Sequence, residues 1–177
     1  MKTFNDENKR QSILKALAIL DTKPEERYDR ITRIASKYFN VPISTITLID
    51  SDREWFKSCY GLKKRNGLRA ISFCGHTINY KDSFIIKDAS KDKRFKDNPM
   101  VTGKEHIRFY AGIPIFSPDG VSLGAFCIKD RVPRNITKEQ INDLKAFASW
   151  ASIEMFASEV SKDLLDAKFN LWKLKKK

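Results

Sequence analysis

The densest group of chemically capable side chains in the sequence is Ser72-Phe73-Cys74-Gly75-His76, which sets a hydroxyl, a thiol and an imidazole close together. A thiolate is a nucleophile, and a helix starting just after Ser72 would lower the pKa of Cys74. The plainer alternative makes Cys74 a buried small hydrophobe with His76 hydrogen-bonded nearby. The other thiols, Cys59 and Cys127, form no CxxC pair and no metal-ligand rhythm with His76 or His106, and Cys127 reads as strand core. Neither a metal site nor a disulfide framework is expected. Arg94 and Arg108 offer a second chemistry. Their guanidinium forks suit a carboxylate or phosphate if they converge on one space. The plainer alternative pairs Arg94 with Asp92 or Asp97 and Arg108 with a neighbouring acid. Trp55, Phe73, Phe95 and Tyr110 would give such a space flat apolar walls, or simply fill a core. The sequence holds no glycine-rich phosphate loop, HExxH, GxSxG or kinase motif.

The elements that must position these residues are legible from periodicity. Ile13, Leu17 and Leu20 recur at helical spacing and predict a helix over Glu7–Leu20. Thr22 is placed to cap a second helix, with Pro24 in its first turn and the body running to about Phe39. Ile43–Asp50 alternates β-branched residues and reads as a strand, followed by a turn and a second strand, Glu54–Tyr60. Gly61–Arg69 reads as a basic loop. Ser72 would cap a short helix, Ser83–Lys87 is a short strand, and Asp88–Thr102 is irregular with helical turns. So long an irregular stretch inside a domain is commonly functional. Ile107, Phe109, Ala111, Ile113 and Ile115 alternate strictly and share a strand face, with Arg108 and Tyr110 on the other. Ser117-Pro118-Asp119-Gly120 is a hairpin turn, and Val121–Asp130 its return strand. Thr137 and Gln140 make a capping box that opens a helix running towards the C-terminus. This order predicts an α+β domain: one antiparallel sheet, terminal helices on one face and an irregular lid over a ligand cavity on the other.

Those stretches resemble the GAF domain family. The match is carried by Ala18-Ile19-Leu20-Asp21-Thr22-Lys23-Pro24-Glu25-Glu26-Arg27-Tyr28-Asp29-Arg30-Ile31, by Asp52-Arg53-Glu54-Trp55-Phe56-Lys57-Ser58 and by Ser72–His76. Arg94-Phe95-Lys96-Asp97-Asn98-Pro99, Arg108-Phe109-Tyr110-Ala111-Gly112 and Leu123-Gly124-Ala125-Phe126-Cys127-Ile128 complete it in the same order. The resemblance implies a sensory domain of the bacterial subgroup found upstream of histidine kinase or diguanylate cyclase modules. It implies a binding module rather than an enzyme, with a small, anionic ligand as the candidate class and no particular cofactor. Trp55, Phe73, Cys74, His76, Arg94, Phe95, Arg108 and Tyr110 are the expected ligand-binding residues. Bilin-binding members attach the chromophore through a cysteine directly before a histidine. Gly75 separates the two here, which argues against a bilin. Free methionine sulfoxide reductases are the enzymatic branch, and the Cys59–Cys74 spacing does not match their thiol pattern.

Composition sets the remaining bounds. With 177 residues and 41% hydrophobic content, the chain suits one domain with some helix to spare. No apolar run approaches the roughly 20 residues of a membrane span. The N-terminal residues lack a signal-peptide core, so the cytoplasm is the expected compartment. The net charge of +12 is concentrated between positions 51 and 110, where fourteen basic residues meet seven acidic ones. Such a field favours anionic partners or is simply a solvated surface. Neither nucleic acid nor a membrane is expected as a partner, although the tail from Leu171 to Lys177 is basic. Residues 1–156 are expected to form the GAF domain and 157–177 a connector. From Ile153 through Ala157, Val160, Leu164, Ala167, Leu171 and Leu174 the apolar steps alternate four and three, a heptad seam. That seam predicts a parallel homodimer passing a ligand-dependent state to an output domain. The alternatives are a ligand-free dimerisation scaffold and, third, a redox enzyme like the methionine sulfoxide reductases.

Overall fold

Two strands near the middle of the chain fix the architecture, because their alternation buries both faces. Along β5 (Phe109–Phe116), Phe109, Ala111, Ile113 and Ile115 turn to one side and Tyr110 to the other; on β6 (Ser122–Asp130), Phe126 and Ile128 oppose Ala125 and Cys127. An antiparallel sheet apolar on both faces has to be covered twice. The computed structural model describes residues 7–174, with side chains through 157. The remaining strands are β1 (Ile43–Ile49), β2 (Arg53–Tyr60), β3 (Asn66–Leu68) and β4 (Phe84–Ile86). Their order in the six-stranded sheet is β3-β2-β1-β6-β5-β4, and each neighbouring pair is antiparallel. Hairpins account for β1–β2 and β5–β6, whereas the central β1–β6 ladder joins distant segments such as Thr45 and Cys127. Gly124 permits that ladder, since any side chain there would overlap the Thr47 carbonyl.

The first face is covered by α1 (Glu7–Leu17), α2 (Glu26–Tyr38) and α5 (Lys138–Leu174). Tyr28, Ile31 and Ala35 of α2 and Leu144, Ala148, Ala151 and Met155 of α5 are buried against Ile46, Leu48, Phe109, Ala111 and Phe126. Ile34 and Tyr38 of α2 lie off that stripe, 44% and 59% exposed. The buried stripe instead includes Thr32, whose hydroxyl meets Ser58 at 2.8 Å, and Ser58 in turn donates to Asp29 at 2.6 Å. The capping box forms as the sequence predicts, with Gln140 N donating to Thr137 Oγ1 at 3.1 Å and Thr137 N to Gln140 Oε1 at 3.0 Å.

Several local expectations are corrected. The first helix stops at Leu17, because Ala18 and Asp21 adopt positive φ and turn the chain. The second starts at Glu26, so Pro24 lies before it rather than within it. Thr22 caps nothing: its hydroxyl donates to the Ile19 carbonyl and receives the Lys57 ammonium. Ile107 leaves the helix-facing stripe. His106 has positive φ and β5 begins only at Phe109, so Ile107 packs in the lid cluster. The basic loop also contains β3, whose three residues add an edge strand to β2.

Candidate functional site

The second face of the sheet lies under the segment from Arg69 to Ile107, which we call the lid. It opens with a single turn of 3₁₀ helix, Arg69–Ile71, and continues into α3 (Phe73–Thr77). Ser72 caps α3, its hydroxyl oxygen accepting from Gly75 N at 3.0 Å. Further on, α4 (Pro99–Thr102) is capped by Asn98, whose Oδ1 accepts from Met100 N at 2.8 Å and whose amide donates to the Ile71 carbonyl at 2.9 Å. The two lid helices are thereby tied to each other. Beneath them Phe73 stacks on Phe95 at 4.5 Å and on Tyr110 at 5.2 Å. The Tyr110 ring lies across Gly112, where any side chain would overlap its hydroxyl. Phe73, Cys74, Phe95 and Tyr110 are all buried, and their side chains fill the space between sheet and lid.

This apolar packing encloses polar groups. The Tyr110 hydroxyl meets Thr77 Oγ1 at 2.6 Å and donates to Cys74 Sγ at 3.4 Å. Cys74 Sγ and Cys127 Sγ are 3.6 Å apart, and Thr45 Oγ1 sits 3.0 Å from Cys127 Sγ. Glu54 is buried and accepts a short hydrogen bond from Ser72. Two residues beyond Cys127, on the same face of β6, Lys129 is wholly buried. Its ammonium lies 5.6 Å from the Phe56 ring and has no hydrogen-bond partner among the described residues. Burial works against its charge, but the Cys127, Cys74 and Glu54 groups around it prevail and hold its pKa above the ordinary lysine value. Burial also pushes the Tyr110 hydroxyl and the Cys74 thiol well up. For Cys127 burial alone would raise the pKa. The hydrogen bond from Cys74, the Lys129 charge and the Thr45 hydroxyl outweigh it and bring the value to about 7.

The residues singled out from sequence do not all meet. Phe73, Cys74, Phe95 and Tyr110 share the lid interior. Trp55 does not: it is buried on the opposite face with Leu14 and Ile31, next to the Lys57 ammonium. His76 is half-buried at the lid surface, edge-on to Phe95 at 4.8 Å, and burial followed by the Arg94 charge lowers its pKa. It lines a cleft of about 530 Å³ with Asp52, Arg69 and Asn79. Arg94 and Arg108 do not form a joint anion clamp. Arg94 is exposed, pairs with Asp92 at 2.6 Å and lies over the Phe84 and Phe95 rings. Arg108 is half-buried and donates to the Val101 and Ile107 carbonyls at 2.9 and 3.1 Å, pinning the lid through its backbone rather than through an acid. Lys129 and Glu54 were missed. The signal was available, since Ala125, Cys127 and Lys129 follow the two-residue period of the lid-facing side of β6. Among the described residues no group of His, Cys, Asp and Glu could hold a metal ion.

Comparisons with known proteins agree with this geometry. The GAF domain profile matches residues 23–155. A cyclic di-GMP phosphodiesterase of Pseudomonas aeruginosa is 39% identical over 144 residues, covering 81% of this chain but only 24% of that protein. The GAF domain of Thermosynechococcus elongatus PixJ, in its blue-light absorbing form, superposes with a TM-score of 0.63 at 10% identity, over 94% of this chain and 96% of that one. The free methionine-R-sulfoxide reductase of Neisseria meningitidis gives 0.63 at 14% identity, over 89% and 95%. Likenesses at such identities speak to the fold alone. The profile match, the lid over a six-stranded antiparallel sheet and the ordered sequence motifs agree: the chain belongs to the GAF domain family.

Proposed function

We propose that this chain is a regulatory module of bacterial signal transduction that binds a small anionic molecule beneath its lid, and not an enzyme in its own right. The observation that carries the anionic ligand is Lys129, a buried cation with no hydrogen-bond partner among the described residues, set on the sheet face that the lid covers. A buried ammonium in that state is costly, and an anion would satisfy it. In this reading Phe73, Phe95 and Tyr110 repack around the ligand, and Arg108 and Arg94 hold the lid rather than the anion. Residues 1–156 are the sensor and 157–177 the connector to an output module, in a homodimer in the cytoplasm. The Pseudomonas relative supports an output module, because this chain matches only a quarter of a protein named for a phosphodiesterase activity.

Thermal unfolding against a panel of carboxylates, phosphates and cyclic nucleotides tests the ligand. A binder at a hundredfold excess over its Kd stabilises by about 2.7 kcal/mol, several degrees in Tm. The shift is expected in the wild type and absent in Lys129→Met, whose own Tm is measured alongside. A panel that moves neither protein at millimolar concentration defeats the ligand reading. A second reading, a dimerisation scaffold without a ligand, is favoured by one observation: the lid interior is already filled by stacked aromatic rings.

A further inference from the structure

Cys74 and Cys127 come from opposite walls of the lid interior, the first from α3 and the second from the centre of the sheet, 53 residues apart in sequence. Their sulfurs are nonetheless 3.6 Å apart, in contact. A disulfide needs about 2.05 Å, so a shift of roughly 1.5 Å by the lid helix would join them. We propose that Cys74 and Cys127 are a redox-responsive dithiol whose disulfide locks the lid to the sheet.

The surroundings differ from those of an inert buried thiol. Thr45 offers a hydroxyl to Cys127 at 3.0 Å, and Lys129 follows two residues along on the same strand face, its ammonium without a hydrogen-bond partner among the described residues. A thiolate at Cys127 therefore has both a donor and a counter-charge. Cys74 has a different neighbour, the Tyr110 hydroxyl, which is itself held by Thr77. The arrangement assigns Cys127 as the attacking sulfur and Cys74 as the resolving one. Cys59, the third thiol, sits on β2 with its sulfur 3.8 Å from the Leu62 carbonyl, and plays no part.

The oxidant is a hydroperoxide. The Cys127 thiolate attacks its terminal oxygen and the O–O bond breaks. The leaving alkoxide takes up the proton that Cys127 gave up and departs as an alcohol, or as water from hydrogen peroxide, leaving a sulfenic acid. Cys74 then attacks that sulfur. The S–S bond forms, the S–O bond breaks, and the hydroxide leaves as water with the Cys74 proton. Two thiols lose two electrons and the hydroperoxide gains them. A small dithiol reductant reverses the step by exchange. Both sulfurs are fully buried, so the oxidant meets them only when the lid lifts, and the new bond then captures the closed arrangement.

The test uses the full chain and hydrogen peroxide. Reduced protein, alkylated after denaturation, should carry three adducts. Protein oxidised in the native state should lose about 2 Da, carry one adduct, at Cys59, and yield a linked peptide pair containing Cys74 and Cys127. A dithiol should restore three adducts. Oxidised protein should melt several degrees above reduced protein. Cys59→Ser should retain the linkage, whereas Cys74→Ser and Cys127→Ser should each lose it. The proposal is overturned by three alkylatable cysteines after native-state oxidation, by a linkage that involves Cys59 or a second chain, or by one that forms only in denaturant. An oxidised form that melts no higher than the reduced one overturns the lock. All these readouts are taken without ligand, so failure of the anion-binding reading leaves them interpretable.

Discussion

At the scale of single residues, Phe73 is central to the lid's packing, because it stacks on both a lid ring, Phe95, and a sheet ring, Tyr110. Phe73→Ala removes two stacked contacts from a site with no exposure, and should cost about 3–5 kcal/mol. Tyr110→Phe keeps the ring and loses only the hydroxyl. Thr77 Oγ1 would still donate to the Phe73 carbonyl at 3.1 Å, so the cost should be nearer 1 kcal/mol. Urea titrations of both variants check this contrast, and equal losses would show that the hydroxyl network, not the stack, holds the lid. The identities at this scale were partly legible. The two-residue period of β5 placed Tyr110 on the lid side. It misled at Ile107, where a left-handed His106 breaks the alternation, because a positive φ at a histidine leaves no mark on a hydrophobic pattern. The Cys74–Cys127 contact was out of reach, since it depends on how α3 packs on the face of β6, 53 residues away, rather than on spacing.

At the scale of elements, the short helix α1 is fastened by charge more than by burial. Arg10 is fully buried and donates to the Ile49 carbonyl and to Glu7, and Glu7 also receives Arg69 at 2.7 Å, so one carboxylate joins α1 to the start of the lid. The hydrogen bond from Arg10 is the main reason that the Glu7 pKa lies well below its ordinary 4.5, with Arg69 reinforcing it against a contrary effect of burial. The folded value is depressed, so the stability this group adds is fully present above pH 4.5 and fades as the pH falls below it. Glu7→Gln should therefore lower Tm by a few degrees at pH 7, the discounted worth of a half-exposed carboxylate. The gap to wild type should narrow steadily as the pH falls from 4.5 towards 3, and close only at more acid pH, where Glu7 is protonated in the folded protein as well. Melting curves across pH 3–7 check it, and a gap independent of pH would mean that α1 is docked by packing alone. The Ser72 and Thr137 caps and the longer strands were legible in the sequence because their signals are local, whereas Thr22 caps nothing and the three-residue β3 left no pattern. Lys57 shows what local signals omit. A bulge between Ile46 and Thr47 leaves it out of the β1–β2 pairing, and its fully buried ammonium reaches Thr22 at 2.7 Å and the Lys23 carbonyl on the helix side.

At the scale of the whole molecule, α5 continues as helix to Leu174, far past the sheet it covers. Its 37 residues span about 55 Å. The last side chains on the expected seam that can be followed are Ile153, 65% exposed, and Ala157, also exposed, beside an apolar groove with Phe156. The seam positions from Val160 to Leu174 lie outside the described side chains. If the seam pairs, light scattering at micromolar concentration should give a dimer for the full chain and a monomer for a chain cut after Phe156. Two monomers would remove the physical basis for relay through this helix.

The strand order has a consequence for how the molecule comes into being. The sheet is two three-stranded halves, β3-β2-β1 and β6-β5-β4, whose backbone hydrogen bonds meet in the β1–β6 ladder. Synthesis runs from the N-terminus, so β1 leaves the ribosome with one edge unpaired, and its partner follows about 80 residues later. At roughly 5–20 residues per second, that edge waits several seconds at least in a crowded cell, with Ile46 and Leu48 uncovered and its backbone open to any passing strand. The sheet wall of the lid interior is also incomplete until then, since Thr45 meets Cys127 across that ladder, 82 residues apart. The domain therefore acquires its lid-covered sheet face and its structural integrity in a single late event, and a nascent chain halted before Ser122 would possess neither.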